Sequence, residues 1–243
     1  MADPLPPPPD LLDGAALFLD FDGTLVELAE TPGAIRVPKS LGPLLGRLCV
    51  RLDGRLAIVS GRSLGDLRRH VPLAGIAFSG SHGLELQWAD GTHLPLSVPL
   101  GLDEVREEVA AFAAGAEGLL VEEKPAGIAL HYRLAPEQGE RAEAFMTALA
   151  KERGFSVQRG AMVIELRPEG ATKGDAVRAF MTEPDFAGAR PVFVGDDLTD
   201  EHAFAAAAAL DGAGVLVGPE RETAAAYRLG SVAAVAGWLD AWA

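Results

Sequence analysis

Asp20 and Asp22 stand one residue apart at the end of the apolar run Leu17-Phe18-Leu19 and lead straight into Gly23-Thr24. A short apolar segment closed by a turn signal reads as a buried strand, and ligands of open α/β sheets bind just beyond the carboxyl ends of such strands. Both carboxylates are therefore expected at a strand tip. Two neighbouring carboxylates repel and are costly to bury unpaired, so a site holding both needs a cation between them or a proton on one. A hard divalent ion such as Mg2+, which takes oxygen ligands and bridges to phosphate, is the natural candidate. Asp-Gly alone would read only as a solvated acidic turn.

Three further groups have the same look. Ser60-Gly61-Arg62 follows the apolar run 56–59, and a hydroxyl before a flexible glycine at a strand tip suits phosphate oxygens. Taken alone it reads as an ordinary loop. Gly195-Asp196-Asp197-Leu198-Thr199-Asp200 follows the apolar run 191–194 and forms a second carboxylate cluster. Asp200 and Glu201 are explained by the first turn of an Ala-rich helix, where acids suit the dipole, but the Asp196-Asp197 pair is not. Lys173, in Thr172-Lys173-Gly174-Asp175, reads by itself as a solvated lysine at a helix start.

The elements that must position these groups follow an α/β rhythm. Ser40 is expected to cap a helix with Pro43 in its first turn and Leu41, Leu44, Leu45 and Leu48 on one face. The strand 56–60 follows, and right-handed crossover makes it parallel to the first strand, with both tips on one rim. A helix near 63–70, a strand at 76–79 and Gly80-Ser81-His82-Gly83 precede a hairpin of 84–88 with 92–98 about Ala89-Asp90-Gly91. From about residue 100 the order becomes helix 102–114, strands 119–123 and 127–133, helix 136–152, strands 155–159 and 162–167. That is a compact α+β layer of its own. The α/β rhythm resumes with a helix from Thr172 to about Met181, the strand 191–194, an Ala-rich helix, a last strand at 213–217 and two short closing helices. The expectation is an α/β protein whose core is a Rossmann-like, doubly wound, mainly parallel sheet, residues 1–99 and 169–243, with a smaller α+β domain inserted at 100–168.

The chain has 243 residues, a formal charge of -14 and 49% hydrophobic residues, enough for a substantial core. Such acidity excludes a sequence-independent grip on nucleic acid or an anionic membrane surface, so a phosphate must be captured locally. Cys49 is the single cysteine, which excludes an intrachain disulfide and a multi-cysteine metal site. Residues 1–10 carry five prolines and no basic n-region, so no signal peptide is expected, and no apolar stretch is long enough for a membrane span. A cytoplasmic protein is expected.

Asp20-Phe21-Asp22-Gly23-Thr24, Ser60, Lys173 and Gly195-Asp196-Asp197 resemble, in order, the four motifs of haloacid-dehalogenase-type phosphatases. Within that superfamily, Ser60-Gly61-Arg62, Gly80-Ser81-His82-Gly83, Glu123-Lys124-Pro125-Ala126-Gly127, His131-Tyr132-Arg133, Glu165-Leu166-Arg167-Pro168 and the run from Gly195 to Glu201 are similar to the trehalose-6-phosphate phosphatase family. The resemblance spans nearly the whole chain and makes residues 100–168 the counterpart of that family's cap domain.

The resemblance implies Asp20 as nucleophile, forming an aspartyl-phosphate, and Asp22 as acid and then base. It implies Mg2+ held by the Asp20 carboxylate, the Asp22 backbone carbonyl and the Asp196 carboxylate, with Ser60 and Lys173 on the phosphoryl oxygens. Asp197 and Asp200 would orient metal-bound water, Thr199 or Lys173. Arg62, His82, Glu123, Lys124, His131, Arg133, Glu165 and Arg167 are the candidates for binding trehalose 6-phosphate. Strand alternation separates His131 and Arg133 from Ile128, Leu130 and Tyr132, and by periodicity alone the charged set reads as a solvent-facing side. Hinges are expected at 80–83 and 168–170. Other sugar phosphates, such as sucrose phosphate or mannosyl-phosphoglycerate, and a noncatalytic sugar-phosphate sensor are the alternative readings. Oligomeric state is left open.

Overall fold

In the computed structural model, residues 5–29, 34–94, 98–160, 162–168 and 171–243 are described. The chain divides into two compact units, Met1–Pro95 with Ala171–Ala243, and Leu96–Gly170.

The first unit begins with β1 (Ala15–Leu19), α1 (Leu41–Arg51), β2 (Leu56–Val59), α2 (Leu64–His70), β3 (Ala77–Gly80), β4 (Glu85–Gln87) and β5 (His93–Leu94). The second contains α3 (Leu102–Ala114), β6 (Leu120–Lys124), β7 (Gly127–His131), α4 (Gly139–Arg153), β8 (Phe155–Gly160) and β9 (Val163–Pro168). The chain then completes the first unit with α5 (Lys173–Met181), β10 (Arg190–Gly195), α6 (Glu201–Ala209), β11 (Ala213–Val217), β12 (Tyr227–Leu229) and α7 (Val232–Asp240).

β1, β2 and β3 are buried at every residue because their sheet is covered on both faces, which is why β1 and β2 read as unbroken apolar runs. Leu17 and Leu19 of β1 pack into a core shared with α1, α2 and α7. Ala16 and Phe18, on the opposite face, join Val177 and Phe180 of α5 and Phe204 of α6. The sheet order is β12-β11-β10-β1-β2-β3-β4-β5, parallel from β12 to β3 and antiparallel at β4 and β5. This is a doubly wound, mainly parallel α/β sheet. With β1 between β10 and β2, the residues that follow these three strands, Asp20, Asp196 and Ser60, share one rim. The Asp20 N–H donates to the Val194 carbonyl at 2.9 Å and so fixes the stagger of two of those tips.

The second unit is a four-stranded antiparallel sheet, β6-β7-β9-β8, with two helices on one face. Val105 and Val109 of α3 and Met146 and Leu149 of α4 pack on Ile128, Leu130, Ile164 and Leu166.

Three local expectations change. Ser40 has helical backbone angles, φ -75 and ψ -19, and makes no cap hydrogen bond, because a capping side chain reaches back only from extended backbone. The strand at 213–217 is followed by β12, paired parallel to it, so it is not the last. β12 has three residues with Arg228 in the middle, too short for a periodic signal. One helix, α7, closes the chain rather than two. The hairpin's second strand shows as His93–Leu94, with 95–97 outside the described residues, as are 169–170 of the expected second hinge. No described helix is long and apolar enough to cross a membrane.

Candidate active site

Lys173 is the first residue of α5, and its start is set by a capping box: the Thr172 hydroxyl accepts from the Asp175 N–H, and the Asp175 carboxylate accepts from the Thr172 N–H at 2.9 Å. From that position the Lys173 ammonium donates to Asp20 Oδ1 at 2.8 Å and to Asp200 Oδ1 at 2.7 Å. All three side chains are buried. Burial works against the charged lysine, but Asp20 and Asp200 outweigh it and push its pKa up. Asp200 Oδ2 accepts from the Asp197 N–H at 2.9 Å, so this carboxylate is spent on Lys173 and on its own loop.

Asp196 lies beside this triplet. Carboxylate oxygens of Asp20, Asp196 and Asp200 all fall within 4.8 Å of one another, an oxygen cluster of the kind a hard divalent cation takes. Burial raises the Asp20 pKa well above its ordinary value, with Lys173 opposing and Asp200 and Asp196 adding. Asp196 is pushed up to about 6, by burial first and then by Asp200. Two carboxyls held this far up are short of positive charge, and a divalent cation would supply it. The donor set therefore fits a hard divalent cation. Thr24 Oγ1 donates to Asp196 Oδ1 at 3.4 Å. Gly23, at φ +77, passes so close that a Cβ there would meet Asp196 Oδ2 at 2.1 Å.

The Asp22 carboxylate is not in this cluster. It is held by the fork of Arg62, with Nε to Oδ2 at 2.6 Å and Nη2 to Oδ1 at 2.8 Å, while Arg62 Nη1 donates to Asp66 at 2.6 Å. Burial lowers the Arg62 pKa, but these two aspartates outweigh it and raise it overall. Asp66 occupies the first turn of α2, whose N-cap Ser63 accepts from its N–H, so α2 aims the arginine. Ser60 is buried at the tip of β2, its hydroxyl accepting from the Arg62 N–H at 3.2 Å. His82 sits in a turn with Ser81, His82 and Gly83 all at positive φ, 49, 57 and 109. Its N–H donates to the Ser60 carbonyl at 2.9 Å, and its ring packs where a Cβ on Gly61 would be. Asp197 points its Oδ1 to the Leu198 N–H at 2.6 Å, and the Thr199 hydroxyl is buried with no partner.

In the second unit the cross-strand register divides the charged set. Lys124, His131, Glu165 and Arg167 occupy the face away from the helices, together with Glu122 and Gln158. Lys124 donates to Glu165 at 2.6 Å, Glu122 is 2.8 Å from His131, and Arg167 donates to Gln158 at 2.7 Å. Glu123 pairs with Ile128 and lies on the helix-covered side, at the edge strand, and Arg133 follows the end of β7. Glu122 and Gln158 were missed by the sequence reading, although alternation with Lys124 along β6 is a signal for Glu122. Arg221, taken up below, was missed as well, and nothing local marks it.

A family model described as trehalose-phosphatase matches residues 18–232. A probable trehalose-phosphate phosphatase of Sinorhizobium fredii (strain NBRC 101917 / NGR234) is 41% identical over 223 residues, 91% of this chain and 83% of the relative. The trehalose-6-phosphate phosphatase of Escherichia coli (strain K12) is 37% identical over 248 residues, 99% of this chain and 91% of the relative. Among solved structures, a trehalose-6-phosphate phosphatase related protein aligns with TM-score 0.78 and 28% identity, over 92% of this chain and 94% of that one. With three motif regions at neighbouring strand tips, the fourth reaching them through Lys173 of α5, and the match running through both units, the chain belongs to the trehalose-phosphatase family.

Proposed function

We propose that this chain hydrolyses trehalose 6-phosphate to trehalose and phosphate in a Mg2+-dependent reaction through an aspartyl-phosphate on Asp20. The observation that carries the reading is the buried Asp20–Lys173–Asp200 triplet beside Asp196 at the tips of adjacent parallel strands. Asp20, Asp196 and the Asp22 backbone carbonyl would hold the ion, which when bound offsets charge between the carboxylate and the phosphate dianion. Lys173 orients Asp20 and opposes the effect of burial, favouring the ionised form that attacks phosphorus as the bond to the sugar oxygen breaks. Asp22 gives its proton to that oxygen. Water then attacks the phosphorus, its proton goes to Asp22, and the acyl-phosphate bond opens to restore Asp20.

A carboxylate in a bidentate pair with a guanidinium is held as an acceptor, the state suited to the second step. Proton donation in the first step then requires Arg62 to release Asp22, with Asp66 as its other anchor. Ser60 and Lys173 offer donors to phosphoryl oxygens, in keeping with catalysis by placement and charge. Residues 100–168 act as the cap, and the face bearing Glu122, Lys124, His131, Glu165 and Arg167 supplies donors and acceptors for sugar hydroxyls.

The test of the chemistry is Asp20→Asn, measured as phosphate release from trehalose 6-phosphate. The variant is expected to keep its fold by circular dichroism and to lose at least about 10^4-fold in kcat. Near-normal release would remove Asp20 as nucleophile.

A further inference from the structure

Arg221 lies in the segment between β11 and β12, yet its guanidinium spans the turn that carries Asp196. Nη2 donates to the Asp197 carbonyl at 2.9 Å and to the Asp196 carbonyl at 3.4 Å. Nη1 donates to the Glu222 carbonyl at 3.2 Å and to Glu201 Oε1, and Glu201 Oε2 accepts from the Ala224 N–H at 2.7 Å. Glu201 opens α6, directly after the turn, so one arginine ties both ends of the 196–201 segment to the 221–224 segment. On its inner side the same turn is held by Asp200, through Lys173 and the Asp197 N–H. The turn is thus clamped from two sides, and the outer clamp is a rigid planar fork that a lysine cannot reproduce.

We infer that Arg221 is a positioning residue for the metal site: it fixes the Asp196 backbone so that its carboxylate stays in register with Asp20. The inference rests on the reading of Asp196 as a metal ligand. Sign separates it from a simple charge effect. Arg221 carries the same charge as the cation, so by Coulomb's law alone its removal tightens cation binding, whereas loss of positioning weakens it.

The experiment is calorimetric titration of the full chain with Mg2+ or Mn2+, without substrate, for wild type, Arg221→Ala, Arg221→Lys and Glu201→Gln. Removing an outer-shell partner of a ligand costs about 10–100-fold in metal affinity, and that loss is expected for Arg221→Ala. Arg221→Lys is expected to recover only part of it, and Glu201→Gln to show a smaller loss in the same direction. At saturating metal, phosphate release by Arg221→Ala returns toward wild type with KM for trehalose 6-phosphate unchanged. Unchanged or tighter metal binding in Arg221→Ala overturns the inference, whatever its melting temperature. Should that variant not fold, unchanged affinity in Glu201→Gln overturns it. Wild-type protein that binds neither ion overturns the metal reading itself, and this inference with it.

Discussion

Asp20, Asp196 and Asp200 lie together near one ammonium, that of Lys173, which pairs with Asp20 and Asp200, and that shortage of positive charge governs how the site responds to protons and metal. The Asp196 pKa is pushed up to about 6 from an ordinary 3.8, so between those values the native state holds a proton that the unfolded chain has released. In that window the metal-free protein loses stability from this group as pH rises, and a bound divalent cation removes the penalty. Metal must displace the proton to bind, so its affinity is expected to fall as pH drops through about 6 and to level off above it. Calorimetry in buffers of different ionisation enthalpy checks this. Mg2+ binding should release more proton at pH 6 than at pH 8, and equal release at both would contradict the charge shortage. The same scale shows what residue types alone conceal. Arg62 reads as a substrate ligand, but here its fork is taken up by Asp22 and Asp66. Lys173 reads as solvated because its partners Asp20 and Asp200 stand 153 and 27 residues away in the chain.

At the scale of elements, the site exists because β2, β1 and β10 are neighbours whose tips each end in a polar motif. That much was legible: buried parallel strands are continuous apolar runs, and a carboxylate or hydroxyl directly after one marks a rim. Close packing between tips was not legible, because it depends on how strands far apart in sequence register. Gly23 is the sharpest instance. Its φ of +77 and the 2.1 Å approach of a notional Cβ to Asp196 leave no room for a side chain. Gly23→Ala is expected to cost roughly 1–3 kcal/mol in denaturant unfolding from backbone strain. It should also weaken metal binding by displacing Asp196. Wild-type affinity in that variant would show that the Asp196 carboxylate does not need this position. In the second unit, alternation along β7 set His131 apart from Ile128 and Leu130, and alternation along β6 puts Glu122, not Glu123, with Lys124, but only cross-strand pairing shows that the two strands turn these residues to one face. β12 and the Arg221 clamp escaped for a like reason, one by brevity and the other by distance.

For the whole molecule, a formal charge of -14 repels an anionic substrate at range, so affinity has to come from the metal and a few placed cations. In the proposed function Lys173 would be such a cation in the first unit, and Lys124 and Arg167 in the second. In that proposal the doubly wound core carries the phosphate chemistry, and the polar face of the smaller α+β unit would distinguish one sugar phosphate from another. The central claim is tested most directly by measuring inorganic phosphate released from trehalose 6-phosphate, glucose 6-phosphate, sucrose phosphate and mannosyl-phosphoglycerate, each with Mg2+ and with EDTA. The account predicts release that is abolished by EDTA and a kcat/KM for trehalose 6-phosphate far above the others. No release from any of them, or equal release from glucose 6-phosphate, would contradict it.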